Sequence, residues 1–406
     1  MKISSSICTL TLLIFSFNLI ASELSLLDKN QDQCQENTLT EKKVRIALAG
    51  TSWWSDTMYM PALENHPNAH VVAVLGRNRE KAERFAEKWN IDSVYTEENL
   101  FLKESGADAV IVATSNKSHF PLTMKSLESG KHVLCEKPLG LNKREATQMA
   151  KLADELGLIT MTPFTYRYMP VNRYVKRLIS EGYLGTPYHL NMRYYASFGR
   201  DQGYSWRFDR DQSGSGALGD IGSHFLYLAY WFFGEIDELS CVLGFQGERP
   251  EKTPDGVTYE KADDTAILNL KFKSGAYGSL HISSLAYEDT KFKQVHQYEL
   301  HGSEGTIHTS CDWDQEQSVK SAKVGEGPVK ENPIPEDIWQ GVRRDTVHNT
   351  YRDVFRTKNH MAREFVDAIV SGKQVSPSFA SGALIQKYID AAIESHKNKT
   401  WVKIES

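Results

Sequence analysis

The sequence predicts an α/β protein: an N-terminal doubly wound parallel sheet, then an α+β region built on a mainly antiparallel sheet. Three observations predict it. Between residues 44 and 161, short and nearly continuous apolar runs alternate with segments of helical period. After about residue 165 the runs alternate apolar with polar residues and are punctuated by turn signals. The 406 residues suffice for two domains, in the apolar and charged proportions of a globular protein.

The N-terminus stands apart. "MKISSSICTLTLLIFSFNLIAS" places one lysine before an uncharged apolar stretch from Ile7 to Ala21, followed by small residues. That is the order of a signal peptide (residues 1–22), and the stretch is short for a spanning helix, which needs about 20 apolar residues. The expectation is export, periplasmic or secreted, with no stable membrane span after cleavage; the alternative is an uncleaved anchor. Residues 23–43 are polar and aperiodic and read as a disordered leader. Cys8 leaves with the signal peptide. Cys34, Cys135, Cys241 and Cys311 are far apart, which supports neither a zinc site nor a disulfide framework and leaves room for one disulfide after export. The net charge of −5 and the lack of a basic stripe argue against a nucleic-acid partner.

The first domain, residues 44–164, opens with "VRIALA", a buried-strand run, followed by room for one helix. "HVVAVLG" (70–76) is the second strand. Ala82, Phe85, Ala86 and Trp89 then form an amphipathic helical stripe. "DAVIVAT" (108–114) and "KHVLCEK" (131–137) are further strands, and between them Phe120, Met124 and Leu127 share a helical face. Asn142 with Glu145 three residues on signals a helix start, and Gly157 a stop. "LITM" (158–161) is the fifth strand. Continuous apolar strands separated by helices imply a parallel sheet covered on both faces, the architecture of a doubly wound nucleotide-binding domain.

The second domain, residues 165–406, has strands at 189–197, 265–272, 276–283 and 295–301. In "TAILNLKF", Ala266, Leu268, Leu270 and Phe272 alternate with Thr265, Ile267, Asn269 and Lys271, and "KSG" supplies a hairpin turn. One face of this sheet is left for solvent or a partner. Helices at about 359–371 and 380–396 close the chain. Residues 312–350 carry no readable pattern.

The turn after the first strand, "GTSWWSD", holds one glycine where a dinucleotide-binding turn carries three. Gly50 makes the tight turn. Ser52 and Ser55 stand where the other two glycines let backbone approach a pyrophosphate and let helix pack on strand. A serine hydroxyl can donate to phosphate, and helix N-terminal N–H groups still face the anion. The turn alone also fits a buried strand that merely ends. At the end of the second strand, "LGRNR" lacks the carboxylate that would bind a ribose 2′-hydroxyl, and Arg77 is placed for a 2′-phosphate. That favours NADP over NAD; Arg77 could instead only cap a solvated helix.

"GKHVLCEKPLG" (130–140) puts Glu136 and Lys137 at a strand C-terminal end, where ligands bind in open α/β sheets. "WRFDRDQSGSGALGDIGSH" leads to Asp220 and His224, whose spacing of four sets them on one helical face. A carboxylate beside an imidazole suits acid–base work. The spacing alone fits a buried pair that only caps a helix at least as well.

Together these stretches resemble the glucose–fructose oxidoreductase, inositol dehydrogenase and rhizopine catabolism oxidoreductase family (Gfo/Idh/MocA). The pieces fall in family order: "IALAG", "ADAVIVATSNKSHFPLTMKSLESGKHVLCEKPLG", "YRYMP", "GTPYHL", "WRFD", "SGALGDIGSH" and "GSEGTI". The likeness runs from Val44 to the C-terminus and is thin between 245 and 360. It implies a Rossmann domain, then an α/β domain whose large open sheet packs against a partner subunit in a homodimer or homotetramer. It implies NAD(P)-linked chemistry at a CH–OH carbon of a sugar, cyclitol or derivative, with no metal. On the matching motifs, Lys137, Asp220 and His224 are the catalytic residues. Gly50, Thr51, Ser52, Trp53, Arg77, Thr114, Ser115, Asn116, His119, Glu136, Lys137 and Arg167 line the cofactor. Tyr166, Trp206, Arg207 and Tyr227 line the substrate cleft. In that scheme His224 is the base, Asp220 orients it, and Lys137 donates to the substrate oxygen. Ser52, Ser55, Ser115 and Tyr227 depart from the family pattern, the last on the substrate wall. Two other readings stand beside this one: a glycosidase of the same fold with tightly held NAD, and a non-catalytic sensor of dinucleotide or sugar.

Overall fold

Eleven elements build the first domain: β1 (Val44–Ala49), α1 (Met60–Glu64), β2 (Ala69–Leu75), α2 (Arg79–Trp89), β3 (Ser93–Tyr95), α3 (Glu98–Glu104), β4 (Ala109–Val112), α4 (Asn116–Glu128), β5 (His132–Cys135), α5 (Lys143–Glu155) and β6 (Thr160–Met161). The strands pair in parallel in the order β3-β2-β1-β4-β5-β6. This order reverses direction between β1 and β4, the place where such sheets open a ligand crevice. The computed structural model describes residues 43–287 and 290–405. The expected signal peptide, the leader up to residue 42, Cys8 and Cys34 lie outside the described residues.

The chemistry of the helix starts follows the sequence. The Asn78 side chain accepts from Lys81 N–H, capping α2, and Asn142 accepts from Glu145 N–H, capping α5. Glu145 reaches back, but to Leu141 N–H at 2.9 Å rather than to the cap residue itself. Two expectations change. The sheet has six strands, because the three-residue β3 is too short to show a pattern. On α4 the buried face is set by Asn116, His119, Leu122, Thr123, Ser126 and Leu127, whereas Phe120 and Met124 are only partly buried. Polar side chains that tie neighbouring turns displace the simple apolar stripe.

The second domain runs α6 (Pro170–Ser180), β7 (Pro187–Ala196), α7 (Arg210–Ser213), α8 (Ser223–Phe233), β8 (Ile236–Gly244), β9 (Thr265–Phe272), β10 (Tyr277–Ser283), β11 (Gln294–Gly302), β12 (Gly305–Asp312), β13 (Ser318–Lys323), β14 (Lys330–Glu331), α9 (Glu336–Trp339), α10 (Val347–Thr357), α11 (Ala362–Ser371), α12 (Phe379–Asn398) and β15 (Val402–Lys403). Its nine strands lie in the order β14-β13-β12-β11-β7-β10-β9-β8-β15; β7 and β10 are parallel and all other neighbours antiparallel. The alternation in β9 holds: Ala266, Leu268, Leu270 and Phe272 are buried, while Ile267 is exposed on the other face. Residues 312–350, unreadable in the sequence, supply β13, β14, α9 and the start of α10. From Val44 onward the chain forms one compact unit. Among the described residues no helix is long and apolar enough to cross a membrane.

Candidate active site

The first strand ends in a turn that only glycine can make. Gly50 has φ of +110°, and a Cβ there would lie 2.3 Å from the Ala113 carbonyl oxygen at the end of β4. That closeness brings the β1 and β4 ends together. Ser52 and Ser55 serve the turn itself: the hydroxyls lie 3.3 Å apart, and Ser55 N–H donates to Ser52 Oγ at 3.3 Å. The helix continues through a π-turn, Ser55–Tyr59, into α1. Thr51 packs near Gly76, Trp53 is 63% exposed, and Arg77 is exposed just after β2.

At the ends of β4 and β5, two loops meet. Thr114 and Ser115 lead into α4, with Ser115 extended at its cap. Asn116 is buried and donates to Ser213 O at 2.9 Å, linking the two domains. His119, expected to line the cofactor, is wholly buried instead, with Nδ1 2.9 Å from Pro138 O and Nε2 3.3 Å from Thr114 O. Burial pushes its pKa down to about 4, so the ring is neutral and donates to one of these two carbonyls. His119 therefore brackets the turn that carries Lys137.

Glu136 faces the cofactor turn. Trp54 Nε1–H and Tyr59 O–H both donate to its Oε1 at 2.6 Å. Burial raises its pKa, against the pull of Tyr59 and Lys137. Trp54 also packs its ring 6.1 Å from that of Tyr351 on α10.

Lys137 reaches across to the second domain. Its Nζ donates to the Asp220 carbonyl oxygen at 2.6 Å and to Oδ1 at 2.8 Å. Arg207 Nε lies 3.3 Å from Asp220 Oδ2, and its guanidinium sits over the Trp206 ring at 4.7 Å. Burial alone would raise the Asp220 pKa; the ammonium and guanidinium outweigh it and hold the carboxyl well below the carboxylate range. The Lys137 and Asp220 side chains are 15% and 25% exposed, so the pair stays within reach of a small molecule.

Asp220 lies in a π-turn, Leu218–Gly222, that runs into α8 and carries His224. Asp263 holds this turn: its Oδ1 accepts from Gly216 N–H at 2.8 Å and its Oδ2 from Leu218 N–H at 2.7 Å. Burial pushes Asp263 up to about 6 despite those two donors. The expected hydrogen bond between Asp220 and His224 is not made. Both Asp220 oxygens serve cations, and His224 Nδ1 is buried with no partner. Burial first, then the Lys137 ammonium, push the His224 pKa well down, so the imidazole is neutral near pH 7.

Around His224 stands an aromatic wall. The Tyr166 ring is 4.6 Å from it and the Phe164 ring 6.3 Å. Tyr166 O–H lies 3.0 Å from Tyr194 O–H and accepts from Gln294 Nε2. His296 packs against Tyr166 at 4.8 Å, and Trp313 lies 6.3 Å from His296. Tyr227 and Arg167 extend this wall. Tyr227 is buried, stacks on Phe164 at 4.5 Å and accepts from Arg167 at 2.7 Å. Arg167 therefore braces the wall through the Tyr227 oxygen.

Residues 44–164 match the description "Oxidoreductase family, NAD-binding Rossmann fold", and residues 176–404 match "Oxidoreductase family, C-terminal alpha/beta domain". The chain belongs to the Gfo/Idh/MocA oxidoreductase family. Within the family it is 28% identical over 354 residues to a levoglucosan dehydrogenase of Pseudarthrobacter phenanthrenivorans, covering 80% of this chain and 87% of that one. It is 32% identical over 193 residues to a D-xylose 1-dehydrogenase [NADP(+)] of Haloarcula marismortui, covering 46% and 54%. The solved complex of levoglucosan dehydrogenase with NADH and levoglucosan shares the fold, with a TM-score of 0.79 at 24% identity over 90% of this chain and 100% of that one.

Sequence reasoning missed Trp54, Tyr59, Asp263, Gln294, His296, Trp313 and Tyr351. Only His296 left a trace, in register with Tyr298 and Leu300 on the buried face of β11. The described cysteines, Cys135, Cys241 and Cys311, are buried and free. Among the described residues no group of side chains could hold a metal ion.

Proposed function

We propose that this oxidoreductase moves a hydride between NAD(P) and a hydroxyl-bearing carbon of a sugar, cyclitol or derivative. The convergence of Lys137, Asp220 and His224, far apart in the chain, carries this reading. The named dehydrogenase relatives support the sugar-like substrate class.

The residues present fit a dinucleotide. The Gly50 turn has no room for a side chain, and the helix that follows opens with N–H groups that have no acceptor within the helix. Gly50, Thr51, Ser52, Trp53, Arg77, Thr114, Ser115 and Glu136 would hold the cofactor, which supplies the hydride chemistry when bound. Arg77 favours NADP.

The protein handles the proton and the charge. An ammonium has three N–H groups; two of Lys137's go to Asp220, and the third is left for a substrate oxygen. Asp220 fixes that ammonium in place. Donation from Lys137 stabilises negative charge growing on the oxygen, and the neutral His224 accepts the hydroxyl proton.

The test is substitution. Lys137→Ala and His224→Ala each lose about 10²-fold or more in turnover while still binding dinucleotide. Normal turnover in both variants would remove the assignment. We further propose an exported mature protein that begins near residue 23 and assembles as a homodimer or homotetramer; native mass spectrometry reads both.

A further inference from the structure

His348, Arg352 and Arg356 stand four residues apart on α10, so they form one stripe along the helix. One end of the stripe meets the substrate wall. The His348 ring stacks on Phe292 at 4.0 Å and lies 6.2 Å from Trp313, which is 5.1 Å from Tyr351. Tyr351 in turn is 6.1 Å from Tyr166, beside His224. The other end meets the cofactor helix, where Arg356 Nε donates to Thr57 O at 2.9 Å.

Among the described residues the stripe has little counter-charge. Arg343 is neutralised by Asp353, on the same helix, in a two-pronged pair. Asp353 also offsets part of the Arg356 charge. Arg352 has neither aid: it forms no ion pair among the described residues, and its Nε is buried without a hydrogen-bond partner. Burial lowers the His348 pKa, and Arg352, Lys291, Arg343 and Arg356 lower it further, with no carboxylate among the described residues opposing them. An unpaired, half-buried guanidinium is costly alone and matches a planar carboxylate fork to fork.

We infer that the His348–Arg352–Arg356 stripe is an anion subsite at the margin of the cleft, built to take the carboxylate of an acidic sugar. This rests on the hydride-transfer reading for the word substrate, but the binding itself can be tested separately.

The experiment is calorimetric titration of the full chain, with NAD bound, using D-glucuronate against D-glucose. Arg352→Gln, Arg352→Lys and the distant surface variant Arg144→Gln are compared. Wild type should bind glucuronate about tenfold tighter than glucose, and the preference should shrink with added salt. Arg352→Gln should abolish the preference and leave glucose binding unchanged; Arg352→Lys should keep part of it, and Arg144→Gln all of it. Equal binding of the two sugars by wild type, or a glucuronate preference that survives Arg352→Gln, overturns the inference. Loss of glucose binding together with glucuronate binding in Arg352→Gln also overturns it. Nicotinamide absorbance separates the two readings. Arg352-dependent glucuronate binding without turnover of any sugar leaves the subsite standing and removes the hydride-transfer reading. Turnover of glucose without the preference does the reverse.

Discussion

His224 and Gly50 show how single positions set the chemistry. Because burial and the Lys137 ammonium depress the His224 pKa, the ring stays unprotonated as pH falls through about 6.5, where a free imidazole would gain its proton. The acidic limb of kcat/KM should therefore lie below pH 6.5, measured with cofactor saturating; a limb at or above that value would mean a solvated ring. The sign for stability is the same. The unfolded chain takes up the proton first, so this group's contribution is complete above about pH 6.5 and shrinks as pH falls below it. At Gly50, the Gly50→Ala variant must relieve a 2.3 Å contact with a backbone oxygen at a positive φ. It should lose at least about 2 kcal/mol in urea unfolding and its dinucleotide binding as well. Arg77→Ala should weaken NADP much more than NAD by fluorescence titration, and equal effects would count against a phosphate contact.

At the scale of elements, the π-turn before α8 depends on a residue from another strand's approach. Asp263 holds Gly216 and Leu218 from the segment just before β9. Asp263→Ala strips two buried N–H groups of their acceptor and should cost about 2–4 kcal/mol of stability. It should also lower kcat, because the same turn places Asp220 and His224. Unchanged kcat in a folded Asp263→Ala protein would show that the turn keeps its shape unaided. The nucleotide turn has a comparable outside brace: Glu136 accepts from Trp54 and Tyr59 and so ties the cofactor helix to the loop that carries Lys137.

Across the whole molecule, the second sheet covers the helices with one face and leaves the other bare. Val242, Ile267 and Tyr277 are exposed there on neighbouring strands β8, β9 and β10. Val242 and Ile267 are cross-strand partners, so the proposed oligomer contact would centre on that exposed apolar pair. Ile267→Asp should leave the fold and the unfolding midpoint nearly unchanged and lower the native mass toward a monomer. Retention of the oligomer would place the contact elsewhere.

Five of the six parallel strands, the α2 and α5 caps and the β9 alternation were legible in residue order alone, and contiguous motifs singled out Lys137, Asp220 and His224. Each depends on local periodicity, on side-chain chemistry within a few residues, or on a contiguous motif. The brace from Asp263, the Trp54–Glu136 tie and the inward burial of His119 and Tyr227 were not. They join residues tens of positions apart, and no local pattern encodes which distant groups will share a dry space. Tertiary packing also decided what Asp220 does. The spacing of four suggested a partner for His224, but the fold delivers an ammonium and a guanidinium to that carboxylate, and in a half-buried site its charge pairs with theirs.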